Sequence, residues 1–506
     1  MLPSPRTGKK GIEMNRLSQD TLSSLPSHIG RPEYDRGEIS PGIVHFGVGG
    51  FHRAHQALVV DRLMADGEGQ DWGIVGVGLL PGDAAMRDAL SAQDYLYTLM
   101  EYSPSGERSV QVVGSMVGYL FAPDDPEAVL ELMASPAVRI VSLTVTEGGY
   151  NYDQVSGEFL WSNPDAVADA DSANQPVTVF GYLARALARR RERGVEPFTV
   201  MSCDNIQGNG ELTRKMLVAF AERFDPDLAN WIEATVAFPN SMVDRITPVT
   251  TDDHRAMAQD ETGLVDRWPV GAESFFQWVL EDRFPAGRPR VENAGVQIVD
   301  DVVPYELMKL RLLNASHQAL AYFGALSGYH YVHEAIGDAL IEKLVRRYMT
   351  EEAEPTLAPV EGIDLADYQN TLIRRFGNAN VKDTVARLCA DASNRIPKWL
   401  VPVIIDRLDQ GGEVTLSAAV VASWSRYSEG TTESGELFSI DDAAREERQA
   451  AAQAEHSTPL SFVTNQAFFG DLADRPGFTV PYRAALEMLW TEGAQATLAH
   501  LVSETR

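Results

Sequence analysis

The first firm apolar run is Ile43–Val48, IVHFGV, and it reads as a strand buried on both faces. It runs into GVGGFHRAH, and an amphipathic pattern predicts a helix over Ala54–Asp66. Further short apolar runs predict strands at Gly73–Val77, Arg139–Val145 and Phe198–Cys203. Helical patterns lie between them, for example Pro126–Met133 and Val177–Arg193. Strand and helix alternating in this way predict a parallel α/β sheet covered by helices on both faces. The polar, Asp/Ala-rich stretch Asn163–Gln175 reads as an inserted loop.

The texture changes near residues 285–300. PAGRPR, Pro285–Arg290, is a turn or linker, and helical periodicity dominates beyond it. Helices are predicted over Glu306–Tyr322, Glu334–Thr350, Val381–Ala390 and Pro481–Glu492. Ser425–Glu436 reads as a surface loop and Asp441–Glu455 as a charged, solvent-facing helix. No internal repeat is visible. The expected organisation is a disordered N-terminal extension over 1–20, an α/β domain over 21–295 and a mostly α-helical domain over 296–506. An active site is expected at the junction of the two domains.

Composition narrows the function. With 43 Lys+Arg against 72 Asp+Glu, the formal charge is −29. That field repels phosphate backbones and anionic lipid, so no nucleic-acid or membrane partner is expected. Two distant cysteines, Cys203 and Cys389, make no disulfide framework, and a reducing cytoplasm is the expected location. The first twenty residues lack an apolar segment of signal-peptide length, and no run reaches a membrane span. Met14 stands as an alternative start. The oligomeric state is left open, a monomer included.

Gly47-x-Gly49-Gly50 follows a strand and opens a helix. Glycines there let a backbone approach a pyrophosphate at the helix N-terminus. The third position of a G-x-G-x-x-G pattern is His52, so an ordinary Gly-rich turn fits as well. His52, Arg53 and His55 read either as an exposed first turn or, for Arg53, as a phosphate contact. Asp83 follows the second strand, where a carboxylate can accept both adenosine ribose hydroxyls, though it is also one more Asp on an acidic chain. Asn205 lies at the carboxyl end of the strand Phe198–Cys203, placed to meet a ligand or to form a turn.

The richest stretch is VPYELMKLRLLNASHQALAY. At about 100° per residue, Asn314 falls about 140° and His317 about 80° round the helix from Lys309, so all three fit within one half of the helix, facing one cleft. A desolvated lysine can act as a base, and an asparagine can donate to a carbonyl oxygen or developing alkoxide. A solvated Lys, an interior Asn and a satisfied His fit the same spacing. Tyr305-x-x-x-Lys309 mimics the pair of short-chain dehydrogenases but lies far too late in the chain. No H-E-x-x-H, C-x-x-C or G-x-x-x-x-G-K-[ST] motif is present, and no metal is expected.

Taken in order, GVGGFHRAH, TVTEGGYN, SCDN, FPNSMVDRITP, KLRLLNASH and VKDTVARLC resemble the polyol-specific long-chain dehydrogenase/reductase family. The resemblance runs from about Met14 to the C-terminus. It implies a Rossmann-type first domain and an NAD-dependent interconversion of a polyol and its ketose, D-mannitol and D-fructose first among them. It implies Lys309 as general base, Asn205 and Asn314 as holders of the reacting oxygen, and His317 as the residue that positions the neighbouring hydroxyl. Glu306 would relay the proton, and Asp244 and Arg387 would bind substrate. Gly47, Gly49, Gly50, Phe51, Arg53 and Asp83 fall on the cofactor side. Strict NAD users of this family often carry a second acid beside Asp83. Here the neighbour is Gly82, with Arg87 nearby, which leaves some NADP use open. Hexuronate reductases of the family usually carry a basic residue at the place of Gly149 and lack the counterpart of Asn240, so both positions lean toward a neutral polyol. D-Arabinitol 4-dehydrogenase shares most of these features. A non-catalytic nucleotide- or sugar-binding protein is the alternative from another class.

Overall fold

The computed structural model describes residues 16–153 and 156–503. It divides into two compact units, one of residues up to Tyr102 and Glu107–Val302, the other of Ser103–Gly106 and Val303 onward. The division falls past the boundary expected at 295/296, because a last short strand of the first unit occupies Gln297–Val299. Of the extension expected over 1–20, residues 1–15 lie outside the described residues. From Arg16 the chain is packed: Arg16 bridges Val265, and Leu17 is buried with Leu22, Leu25 and Leu264.

In the first unit the chain makes β1 (Pro41–Phe46), β2 (Gly73–Gly78), β3 (Tyr97–Tyr102), β4 (Arg108–Val113), β5 (Met116–Phe121), β6 (Ile140–Leu143) and β7 (Thr199–Ser202). Five of these form a parallel sheet in the order β5-β2-β1-β6-β7. Almost every residue of β1, β2, β6 and β7 is buried, the signature of strands covered on both faces. Alternate side chains sort into two cores. Val44, Phe46, Val141, Leu143 and Val200 pack with Phe180, Leu183 and Leu187. Ile43, Ile74, Ile140 and Met201 pack with Leu58, Leu63 and Trp278 on the other side. Chain order reverses between β1 and β6, and ligands of open α/β sheets bind at the carboxyl ends of strands at such a point.

Strands β8 (Ser241–Asp244), β9 (Val270–Glu273), β10 (Gln277–Glu281) and β11 (Gln297–Val299) complete two smaller sheets. One has the order β4-β3-β9 and the other β11-β10-β8.

Two expectations need correction here. The helix expected over Ala54–Asp66 is two helices, α1 (Gly50–Ala54) and α2 (Gln56–Ala65), broken at His55 with φ −125° and ψ −93°. The buried His55 ring sits against Phe51, Phe276 and Trp278 at centroid distances of 4.8, 4.7 and 5.0 Å, and that packing sets the break. The loop expected over Asn163–Gln175 contains a helix, Pro164–Asp169. The Asn163 side chain accepts from Asp165 N, and Pro164 occupies the first turn, so the Asn-Pro pair is a helix start.

The second unit is helical. A continuous helical segment runs Val303–Met308, Lys309–Asn314 and Ala315–Leu326, and its middle piece is a π-helix. A second π segment, Tyr348–Ala353, follows Ala339–Arg347. The buried helix Thr415–Ser428 packs against Ala315–Leu326 and Pro476–Thr491. The loop expected from Ser425 begins only after Ser428. The hydroxyls of Ser423 and Ser428 donate back to Val420 O and Trp424 O, so both are satisfied inside the buried helix.

The N-terminus of Thr415–Ser428 is capped by Glu352. Its carboxylate accepts from Leu416 N at 2.7 Å, from Ser417 N at 2.8 Å and from the Ser417 hydroxyl. Burial pushes this carboxyl from its ordinary 4.5 up to about 7. Between those values the folded chain therefore holds more protons at this site than the unfolded one. The stabilisation is fully present below pH 4.5 and is lost as pH rises through 7. Relative to Glu352→Gln, wild-type stability should fall by up to about 1.4 kcal/mol per pH unit across that window. Denaturant unfolding of both proteins at several pH values measures it, and a pH-independent difference would refute the assignment.

Candidate active site

The first unit brings four strand ends together. At the end of β1, Gly47 has φ +90°, and a Cβ there would lie 2.0 Å from Thr144 O, beyond β6. Glycine is thus required at 47 by packing. At Gly49 an added Cβ would find nothing closer than Gly47 O at 3.9 Å, so this backbone is open to an approaching group. Gly50 begins α1 beside Thr247. Phe51 lies against His55.

Arg53 departs from the phosphate-contact expectation, and the first turn is not exposed. His52, Arg53 and His55 are all buried. The Arg53 guanidinium donates to Gly49 O at 3.2 Å and to Trp268 O, and lies over the Tyr97 ring. It braces the turn from within through these contacts, while its Nη2 is buried without a hydrogen-bond partner among the described residues.

Past β2, Asp83 Oδ2 accepts from Leu79 N and Leu80 N, both at 2.9 Å. Among the described residues its Oδ1 has no hydrogen-bond partner, which suits a ribose diol. A Cβ at Gly82 would meet nothing within 4 Å. Arg87 is paired, with Asp88 at 2.9 Å and Asp124 at 2.5 Å, so its charge is already answered. The opening toward NADP that Arg87 suggested is correspondingly narrower. The open glycine backbone at a helix start and the half-used Asp83 carboxylate together fit a dinucleotide.

At the ends of β6 and β7, Asp204 is the residue that sequence reasoning missed. Its buried carboxylate accepts from Val145 N at 2.9 Å, Thr146 N at 3.0 Å and the Tyr150 hydroxyl at 2.7 Å. Burial raises its carboxyl above the usual range. It holds a segment that includes two non-glycine residues at positive φ, Thr146 at 60° and Asn151 at 49°. Asn205, its neighbour, is exposed at the end of β7. In sequence Asp204 looks like any loop Asp, and only its burial marks it. Asp244 ends β8 and is buried.

Asn240, whose presence leans toward a neutral polyol, has a structural role as well. Its side-chain oxygen accepts from Gly210 N at 2.9 Å and Glu211 N at 3.2 Å, and its amide meets Glu281 at 3.2 Å. It caps the helix Asn209–Phe224.

In the second unit, Glu306, Lys309, Asn314 and His317 are all buried, with Lys309 only 6% and Asn314 only 4% exposed. The π-helix changes their geometry. Its bonds run i→i+5, so residues five apart lie on one face. Lys309 and Asn314 are five apart and open and close the π segment. The π turn narrows the angle between them further than the half-helix spread that ordinary spacing predicts. Neighbouring side chains brace the segment: the Tyr348 hydroxyl donates to Arg311 O at 3.0 Å, and the Arg311 guanidinium pairs with Asp406 at 2.7 Å. The His317 ring lies 4.6 Å from that of Phe376. Arg387 is held by Asp383 through two contacts of 2.5 and 2.6 Å, with its side chain half exposed.

Comparison with known proteins places this geometry in context. Residues 41–293 match the description "Mannitol dehydrogenase Rossmann domain" and residues 301–490 "Mannitol dehydrogenase C-terminal domain". The mannitol 2-dehydrogenase of Phaeosphaeria nodorum is 47% identical over 96% of this chain and 85% of its own length. That of Cereibacter sphaeroides is 47% identical over 94% of this chain and 99% of its own. The Pseudomonas fluorescens mannitol 2-dehydrogenase, solved as a ternary complex with NAD and D-mannitol, superposes with a TM-score of 0.87 at 44% identity, covering 97% of this chain and 100% of that one. A D-sorbitol dehydrogenase in substrate-free form gives 0.88 at 38% identity over 95% of this chain and 100% of that one. The chain belongs to the mannitol dehydrogenase family.

Proposed function

We propose that the protein is an NAD-dependent polyol dehydrogenase that interconverts D-mannitol and D-fructose. The observation that carries this reading is the buried π turn with Lys309 and Asn314 at its ends, in a chain 47% identical to a mannitol 2-dehydrogenase along 96% of its length. When bound, NAD supplies the hydride acceptor. Lys309 takes the hydroxyl proton, and burial is the setting in which an amine serves as a base. Asn205 and Asn314 donate to the reacting oxygen, where negative charge grows as the proton leaves. His317 orients the adjacent hydroxyl, and Glu306 passes the proton on. Asp244 and Arg387 contact the polyol chain. With an amine as base and amides on the oxygen, the step needs no metal.

A neutral substrate is favoured by Gly149. A Cβ there would lie 2.6 Å from Val145 Cγ2, so a basic side chain for a uronate carboxylate would first displace Val145. The test is the growth of reduced-nicotinamide absorbance with mannitol, arabinitol and sorbitol, and its decay with fructose and fructuronate. Mannitol and fructose should lead their series. Fructuronate above fructose would overturn the substrate assignment, and no turnover with any of them would overturn the enzyme.

Cofactor choice follows from Asp83, which should accept the ribose hydroxyls and repel a 2′-phosphate. In Asp83→Ala, kcat/KM with NAD should fall and that with NADP rise. A charge-assisted hydrogen bond is worth about 1.5–3 kcal/mol, so the ratio should move roughly 10–150-fold. Adding Gly82→Lys, for which there is open space, should push it further toward NADP. An unchanged ratio in Asp83→Ala would place the ribose elsewhere.

A further inference from the structure

The glycine turn is tied into the sheet by a buried chain of polar side chains. His45, on β1, is fully buried. Its Nδ1 lies 2.8 Å from Ser142 Oγ and its Nε2 lies 2.9 Å from Thr144 Oγ1. Thr144 Oγ1 lies 2.7 Å from Gly47 O, and Ser142 Oγ lies 2.8 Å from Gln56 Oε1. The other face of His45 is stacked on His52 at 3.4 Å.

The direction of every bond can be worked out from one end. Gly47 O can only accept, so the Thr144 hydroxyl donates to it. Thr144 Oγ1 must then accept from His45, which places the ring proton on Nε2. Burial pushes His45 down to about 3, so near neutral pH the ring carries a single proton and Nδ1 is bare. Bare Nδ1 must accept from the Ser142 hydroxyl. Ser142 can no longer donate to Gln56, so Gln56 has to present its amide NH₂ there, with its oxygen and nitrogen exchanged.

We infer that Gln56, Ser142, His45 and Thr144 form one directed hydrogen-bond chain that ends on Gly47 O and positions the cofactor-binding turn. The chain starts in α2, crosses β6 and β1, and fixes the first peptide of the turn. These are positioning residues, acting on NAD only through the backbone. The inference rests on the reading of that turn as an NAD site.

Thr144→Val removes the hydroxyl that donates to Gly47 O and accepts from His45 Nε2, and leaves Gly47 O the longer contact with His45 Nε2 at 3.4 Å. The Kd for NAD, followed by calorimetric titration, should rise roughly 5–20-fold, because a turn no longer held by this hydrogen bond must be ordered by the cofactor, at a cost of about 1–2 kcal/mol. The KM for mannitol at saturating NAD should change little, and the melting temperature, lowered by the lost hydrogen bond, should still show a cooperatively folded protein. Thr144→Ser should restore NAD binding. His45→Gln, which can keep the donor to Thr144, should bind NAD better than His45→Asn, which cannot reach it. Histidine ¹⁵N NMR, with His45 assigned by its absence in His45→Gln, should show a bare Nδ1 at neutral pH. A folded Thr144→Val with wild-type NAD affinity, or a protonated Nδ1, would overturn the chain. Failure of the wild-type protein to bind NAD would instead overturn the proposed function, and this inference with it.

Discussion

Lys309→Ala is expected to lose about 10²–10⁴ in kcat, the range for removing a general base. Lys309 is buried at the start of the π turn, in the second unit. The glycine turn and Asp83 belong to the first. The variant should therefore bind NAD with nearly wild-type affinity while the chemical step fails. Alanine leaves a small gap at a buried position, so the melting temperature is needed beside the kinetics. Lys309→Met retains most of the side-chain volume and lacks the amine. Methionine and alanine should be equally inactive if the proton acceptor is what matters. If Lys309→Met turned over at more than half the wild-type rate, Lys309 would be a packing residue and the base would have to be sought elsewhere.

Long apolar runs were the most legible feature of the chain. IVHFGV, GIVGVG and the run Arg139–Val145 gave strands because their central residues are buried on both faces of the sheet, and their shortness and β-branched content tell them from helix. Departures arose where tertiary contacts override local rules. His52, Arg53 and His55 look like a polar first turn. They are buried because Trp268 O, Tyr97 and an aromatic cluster supply partners from distant segments. The contacts of Asn240 with Gly210, Glu211 and Glu281 were not legible because they join segments far apart in the chain. Arg87 looked free because Asp124, which pairs with it, follows β5. Asn163-Pro164 was different, since the capping signal lies in the residues themselves and was outweighed by the polar composition around it.

The π turn is the feature with the greatest consequence for the site, and hydrophobic spacing does not reveal it. Leu312 and Leu313 are buried in either helix type. What distinguishes the π form is where Lys309, Arg311 and Asn314 end up, and Arg311 is held by Asp406, Thr356 and Tyr348 from other elements. π segments recur at functional sites, and here the wider turn brings side chains five apart closer in angle than a regular helix would.

That argument gives Asn314 a sharper expected effect than spacing alone. If the π turn presents Asn314 beside Lys309, its amide meets the same oxygen from which Lys309 removes the proton. Its hydrogen bond then strengthens as charge develops, and Asn314→Ala should slow the chemical step about 10²–10³-fold, or about 2.7–4 kcal/mol. Asn205, at the end of β7, is assigned to the same oxygen and should lose a comparable amount. On the proposed assignment both donors serve one developing charge, so the two losses should not add fully. Single-turnover hydride transfer with excess enzyme isolates the step from product release. Asn314→Asp is a useful companion: it nearly preserves shape but places an acceptor where a donor is needed, and it should be at least as slow as alanine. A loss confined to KM in either Asn→Ala variant would make that asparagine a ground-state binder. Full activity in Asn314→Asp would show that no donor is required there.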